Sequence, residues 1–199
     1  MFPVSTLIAF GLGIAVILSV PGPTNTLLAA AGAQQGVARS VRLTLVELAG
    51  YVIAVSVWGL CFTRVGDTMP WLSMTVRIAS GLYIAWLAIR MWRATLAVFS
   101  SDRHAVRPFT LFIATLLNPK GILFGSTIFP AAAFATPACF IEAMTLFAAL
   151  LVPIGTGWIA LGAALGSGRL PWLDPVGVQR SASVVLAVFS LTIAWTAFH

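Results

Sequence analysis

Long apolar runs separated by short polar stretches dominate this sequence. A run of about 20 apolar residues can cross the hydrocarbon core of a bilayer as a helix. We count six such spans, at about residues 4–33, 41–63, 71–92, 109–130, 138–165 and 181–198. Segments such as Ala143–Gly168 carry no charge and lack the polar face that a buried soluble helix would show. The pattern therefore predicts an all-α integral membrane protein with six transmembrane helices, forming one transmembrane domain over residues 1–199.

Prolines interrupt the first and the fourth of these spans. The first interruption reads Pro21-Gly22-Pro23-Thr24-Asn25 and the second reads Asn118-Pro119-Lys120-Gly121. Proline lacks an N–H and its ring clashes with the preceding turn, so each interruption frees backbone polar groups. Such groups are tolerated at membrane depth only where they face protein or a water-filled cavity. Paired breaks in corresponding segments of two halves are typical of the central binding site of a secondary transporter.

The order of the spans predicts two inverted repeats. Three spans precede the basic connection near residues 93–107 and three follow it, so the half-repeats (about 1–95 and 96–199) enter the membrane from opposite sides. An offset of 95 residues maps Pro23 onto Asn118. The same offset maps Glu47 onto Glu142, the only two glutamates. We expect broken helices 1 and 4 to be related by a pseudo-twofold axis in the membrane plane.

Charge is scarce and unevenly placed. Charged residues make up 8% of the chain, against about 25% in soluble domains. Most arginines lie at the first, third and fifth connections, at Arg39, Arg42, Arg90, Arg93, Arg103, Arg107, Arg169 and Arg180. Because Lys and Arg are enriched in cytoplasmic loops, this predicts a protein of the bacterial cytoplasmic (inner) membrane with both termini outside. The net charge of +6 thus indicates lipid rather than nucleic acid as the partner. Without the basic region of a signal peptide, the first apolar run is expected to remain as span one.

The breaks supply the candidate binding groups. The N-terminal end of a half-helix presents bare N–H groups that suit a carboxylate, and a C-terminal end presents carbonyls that suit an ammonium group. A zwitterionic amino acid needs both kinds of partner. The alternative is a pair of plain proline kinks whose carbonyls are capped by neighbouring side chains, and the polar residues at the breaks fit either role. The candidate substrate-binding residues are Pro21, Gly22, Pro23, Thr24, Asn25, Asn118, Pro119, Lys120 and Gly121.

Three charged residues within the spans are candidates for chemistry. Lys120, the only lysine, lies near the middle of its span. A charge at that depth costs at least ~2.5–3.5 kcal/mol, so it normally faces a cavity or a partner. Lys120 would bind a substrate carboxylate, pair with a glutamate, or extend to the membrane surface. Glu47 is the candidate for proton coupling or for an ammonium group. Glu142, the second proton-coupling candidate, lies nearer the end of its span.

At these residues the chain resembles the lysine exporter (LysE/RhtB) family of bacterial amino-acid efflux permeases. The resemblance rests on the two proline motifs, on Gly32 and Gly36, and on Gly81-Leu82-Tyr83-Ile84-Ala85-Trp86. Size, span count and motif order agree, so it covers essentially the whole chain. It implies export of amino acids or close derivatives, driven by the proton gradient. Ser40 and Val46 stand where the family often has glycine, which leaves the substrate open.

Other functions find less support. No nucleophile–base arrangement or phosphate loop suggests an enzyme, and nothing implies a cofactor. A metal permease would need several carboxylate, His or thiolate ligands. A thiol–disulfide electron carrier would need paired cysteines, whereas Cys61 and Cys139 lie at connections, where they form an extracytoplasmic disulfide or pack as small apolar residues. With one acid near the site, small neutral or apolar amino acids are favoured over basic ones. The glycine pairs could pack within one subunit or across a homodimer.

Overall fold

The computed structural model describes residues 2–66 and 106–167, together with isolated helical positions between 75 and 93 and between 184 and 191. Within this part of the chain the regular structure is all helical. Apart from these isolated positions, spans 71–92 and 181–198 lie outside the described residues, so the count of six stays a prediction.

The first span is broken where the sequence predicts. Helix α1 (Val4–Ser19) ends before an extended segment, and helix α2 (Pro23–Gln35) resumes at an angle of 60°. Val20 is extended because a residue that precedes a proline is pushed out of the helical region. Pro23 occupies the first helical position of α2, where its missing N–H costs nothing. Gly36 then makes the turn that ends α2, with a φ of 75° that favours glycine.

The fourth span has the same construction. Helix α5 (Pro108–Leu116) and helix α6 (Pro119–Leu123) meet at 46°, and α6 continues as a π-helical turn, Phe124–Ile128. Pro119 takes the first position of α6, as Pro23 does in α2. The Asn118 side chain caps α6 by accepting a hydrogen bond from the Lys120 N–H at 3.1 Å. The prediction of broken helices 1 and 4 is confirmed.

The second and fifth spans are continuous. Helices α3 (Val37–Ser40) and α4 (Leu43–Gly66) form one apolar segment, Val37–Arg64. A 3₁₀ turn, Ala131–Phe134, leads to helix α7 (Pro137–Gly166), which contains Pro153. By length and composition, two of the described helices can cross a membrane, or up to four if each bent pair is one span.

Close glycine contacts bring the spans together in two parallel pairs. Helix α2 lies against α7 so closely that a Cβ on Gly32 would collide with the Ile159 carbonyl, and one on Gly162 with that of Ala29. Helix α4 approaches the fourth span similarly, since a Cβ on Gly121 would lie 2.9 Å from the Ala54 Cβ. These glycines pack within one chain, as small residues do where membrane helices touch. Homodimerisation and the inverted repeat stay predictions.

Candidate functional site

The two breaks touch each other in the middle of the structure. The Asn118 amide group donates hydrogen bonds to the Thr24 hydroxyl at 3.4 Å and to the Tyr51 hydroxyl at 3.0 Å. The Lys120 ammonium donates to the Val20 carbonyl at 2.6 Å. Thr24 lies on α2 and Tyr51 lies on α4, so three spans meet at Asn118. The sequence-predicted residues of both motifs thus form one buried cluster.

The carbonyl end of α1 is already satisfied by protein donors. The Asn25 amide donates to the carbonyls of Leu18 at 2.7 Å and Val20 at 2.6 Å. With Lys120 added, both lone pairs of the Val20 carbonyl are used. Asn25 therefore caps the backbone carbonyls freed at the break. This is one of the two roles expected from its position in the sequence, the other being to bind substrate. Asn118 is similarly engaged, with both N–H groups and its oxygen bonded to protein.

The amino end of α2 lies beside Lys120. No side chain caps this helix end, so its first N–H groups point into the cluster. Pro21 and Gly22 form the extended segment that precedes it. A Cβ on Gly22 would lie 3.2 Å from the Lys120 Cε, so glycine makes room for the lysine side chain. An ammonium group and a bare helix N-terminus both favour an anion.

Glu47 lies on α4 at the same cluster. Its side chain is 1% exposed, and its Oε1 atom has no hydrogen-bond partner. The Thr24 hydroxyl lies beside the carboxylate. Gly155 on α7 lets that helix approach, because a Cβ there would lie 3.2 Å from the Glu47 Oε2. Buried polar groups are normally satisfied, so an unpaired carboxylate oxygen indicates a ligand position.

Lys120 also has unused hydrogen-bonding capacity. It is 4% exposed, and an ammonium group has three N–H donors. Among the residues that the structure describes, only the Val20 carbonyl accepts from it, so two donors remain. Unsatisfied groups of opposite charge, on Lys120 and Glu47, therefore belong to one buried site.

Apolar clusters lie on two sides of this site. The aromatic cluster lies towards the N-terminal ends of α1 and α7 and contains Phe10, Tyr51, Phe124, Phe129 and Phe147. The aliphatic cluster lies towards the ends that carry Arg39, Arg42 and Arg107, and contains Leu28, Ala31, Leu43, Leu111 and Ile159. The chain positions around the breaks place the two clusters on opposite sides of Lys120.

Glu142 is not brought to the site. The Phe2 N–H donates to its Oε1 at 3.3 Å, near the start of α7. Glu142 precedes Gly155, which touches Glu47, by 13 residues, or about 20 Å of helix. The offset that pairs the two glutamates in sequence therefore does not pair them in space.

Sequence reasoning did not select Tyr51, Gly155 or the Val20 carbonyl. A signal for Tyr51 was present, since it follows Glu47 by four residues and thus lies on the same face of α4. No sequence signal joins Gly155 to Glu47. The two cysteines, Cys61 and Cys139, carry free thiols. Within the described residues, no three His, Cys, Asp or Glu side chains form a group that could hold a metal ion.

Comparison with known proteins gives one match. The family model described as LysE type translocator matches residues 15–199, which is most of the chain. No curated protein and no solved structure matches the chain.

Proposed function

The chain belongs to the LysE type translocator family, and on that premise we propose that it exports amino acids or close derivatives across the cytoplasmic membrane by proton antiport. Members of this family are membrane transporters rather than enzymes. The observation that carries the proposal is the pair of unsatisfied groups at the breaks. Glu47 leaves one carboxylate oxygen unbonded and Lys120 leaves two N–H donors, all buried.

A zwitterion complements these groups. Its carboxylate accepts the two free N–H donors of Lys120 and lies at the uncapped amino end of α2. Its ammonium group donates to the Glu47 Oε1. Charge-assisted hydrogen bonds of this kind are about twice as strong as neutral ones. Asn25 and Asn118 support the site by holding the broken helix ends, since their amide groups are bonded to protein.

Glu47 also suits the proton-coupling role. When it is ionised it holds the substrate ammonium, and when it takes a proton it loses that attraction. A proton that enters from outside thus favours release of the substrate outward, which couples inward proton flow to export. Alternating access follows from the two broken spans, because each packs in parallel with one continuous helix, α7 or α4. That arrangement supports movement of the pair formed by α2 and α7 against the pair formed by α4 and the helices α5 and α6.

The test is efflux from proteoliposomes loaded in turn with radiolabelled amino acids, with and without an imposed pH gradient. We expect saturable efflux of one or a few amino acids, stimulated by the gradient. Glu47→Gln should abolish the stimulation while the protein remains in the membrane. If no amino acid moves while divalent cations do, a metal permease is the better assignment. If the variant keeps full stimulation, Glu47 is not the coupling residue.

A further inference from the structure

The Asn118 amide has a fixed orientation, because one of its neighbours can only donate. The Lys120 backbone N–H donates to the Asn118 Oδ1 at 3.1 Å, so that side of the amide is its oxygen. The amide nitrogen therefore lies on the other side, 3.4 Å from the Thr24 hydroxyl oxygen. Thr24 is fully buried, and its oxygen accepts this hydrogen bond. The single proton of the Thr24 hydroxyl is left to donate to another group.

The Glu47 carboxylate is the acceptor beside this hydroxyl. The Thr24 hydroxyl lies within hydrogen-bonding reach of the carboxylate. The Glu47 Oε1 has no hydrogen-bond partner in the part of the chain that the structure describes, so the hydroxyl is assigned to Oε2. An ionised carboxylate only accepts hydrogen bonds, so Thr24 is the donor. Hydrogen bonds thus run in one direction, from Asn118 through Thr24 to Glu47.

Helix packing places the same oxygen of Glu47 between α2 and α7. A Cβ on Gly155 would lie 3.2 Å from the Glu47 Oε2 and 3.3 Å from the Leu28 Cδ1. Leu28 follows Thr24 by four residues, so both lie on one face of α2. The Oε2 atom therefore lies between that face of α2 and the backbone of α7. Oε1 is the carboxylate oxygen that remains for a ligand.

We propose that Thr24 is a positioning residue whose hydroxyl holds the Oε2 of Glu47 and so directs the Oε1 towards the substrate. This role rests on the proposed function, in which Oε1 binds the substrate ammonium group. Thr24 acts through Glu47 and does not bind the substrate itself. Without the hydroxyl the carboxylate is free to turn, so a ligand with an ammonium group binds less tightly. A ligand that lacks the ammonium group does not depend on Thr24.

Binding measurements on Thr24 variants test this role. Thr24→Val removes the hydroxyl and keeps the shape of the side chain, whereas Thr24→Ser keeps the hydroxyl. Thr115→Val is the matched control, because Thr115 is equally buried and its hydroxyl donates to the Leu111 carbonyl of its own helix at 2.8 Å. The probes for isothermal titration are the amino acid that the efflux assay selects and the same molecule without its amino group, for example alanine and propionate.

We expect Thr24→Val to weaken binding of the amino acid about tenfold and binding of the acid by less than about twofold. Thr24→Ser and Thr115→Val should bind both probes as the native protein does. In a Glu47→Gln background, Thr24→Val should change the affinity for the amino acid by less than about twofold, because the carboxylate that it positions is already absent.

A second measurement reads the Glu47 carboxylate without any substrate. Glu47 and Glu142 are the only two glutamates, so an isotopic label in the side-chain carboxyl carbon of glutamate gives two NMR signals. The Glu47 signal is the one missing from Glu47→Gln. Thr24→Val should shift this signal, and so should Thr24→Ala, which adds no methyl group beside the carboxylate. Thr24→Ser and Thr115→Val should leave it close to its native position.

The role of Thr24 is overturned if removal of its hydroxyl leaves the Glu47 signal in place. It is also overturned if Thr24→Val weakens binding of the amino acid and of the acid equally, or if Thr24→Ser behaves as Thr24→Val does. The NMR signal does not depend on the cargo. A shifted signal in a protein that binds none of the amino acids therefore supports the positioning of Glu47 by Thr24 and overturns the proposed function alone.

Discussion

Replacing Lys120 with methionine removes the ammonium group and keeps the volume of the side chain. Two N–H donors that face the substrate carboxylate are lost, together with the bond to the Val20 carbonyl. Hydrogen bonds to charged groups contribute about 1.5–3 kcal/mol each, so we expect binding to weaken by about 3 kcal/mol, or roughly 150-fold.

Isothermal titration of the transported amino acid into purified protein measures the change in affinity, and thermal unfolding in detergent checks the fold. Arg107→Met is the control, because it removes an exposed cation from the start of the same span. We expect native affinity from the control. A Lys120→Met protein that unfolds at the native temperature and binds substrate within about threefold of the native affinity would refute a carboxylate-binding role for Lys120.

Two further predictions concern the packing and the breaks. Gly162→Ala forces a Cβ towards the Ala29 carbonyl and should destabilise the protein by about 1–3 kcal/mol, whereas Gly157→Ala, whose Cβ would meet nothing within 4 Å, should not. Thermal unfolding compares them, and equal shifts would contradict the close α2–α7 contact. Asn25→Ala leaves the Leu18 carbonyl unbonded and should cost about 1–3 kcal/mol in the same assay. An unchanged unfolding temperature would show that the α1 carbonyls do not depend on Asn25.

The breaks could be predicted from the sequence because their cause is local. Pro21, Pro23 and Pro119 end or restart a helix through their own rings, whatever surrounds them. The burial of Lys120 could also be predicted, since a lone charge deep in an apolar span needs a partner. The family followed from the two proline motifs together with Gly32, Gly36 and the segment Gly81–Trp86.

The partners at the site could not be predicted. Lys120 binds a backbone carbonyl, that of Val20, which is 100 residues away in sequence and has no side-chain signature. Gly155 reaches Glu47 only because α7 packs tightly beside α4 and α2, which is a tertiary contact. The sequence offset pairs Glu47 with Glu142, yet only Glu47 lies at the breaks, so the offset does not relate these two residues in the structure. Asn118 was a candidate to bind either the substrate or the backbone freed at the break, and its amide group donates hydrogen bonds to Thr24 and Tyr51 on two other spans.

The central claim is that Lys120 binds the carboxylate and Glu47 the ammonium group of one zwitterion. The most direct measurement is the affinity of the native, Lys120→Met and Glu47→Gln proteins for the transported amino acid, its decarboxylated amine and its deaminated acid. We predict that the native protein binds the zwitterion more tightly than the amine or the acid. Lys120→Met should bind the amine and the zwitterion with equal affinity, and Glu47→Gln should bind the acid and the zwitterion with equal affinity. Equal discrimination by all three proteins would contradict the claim.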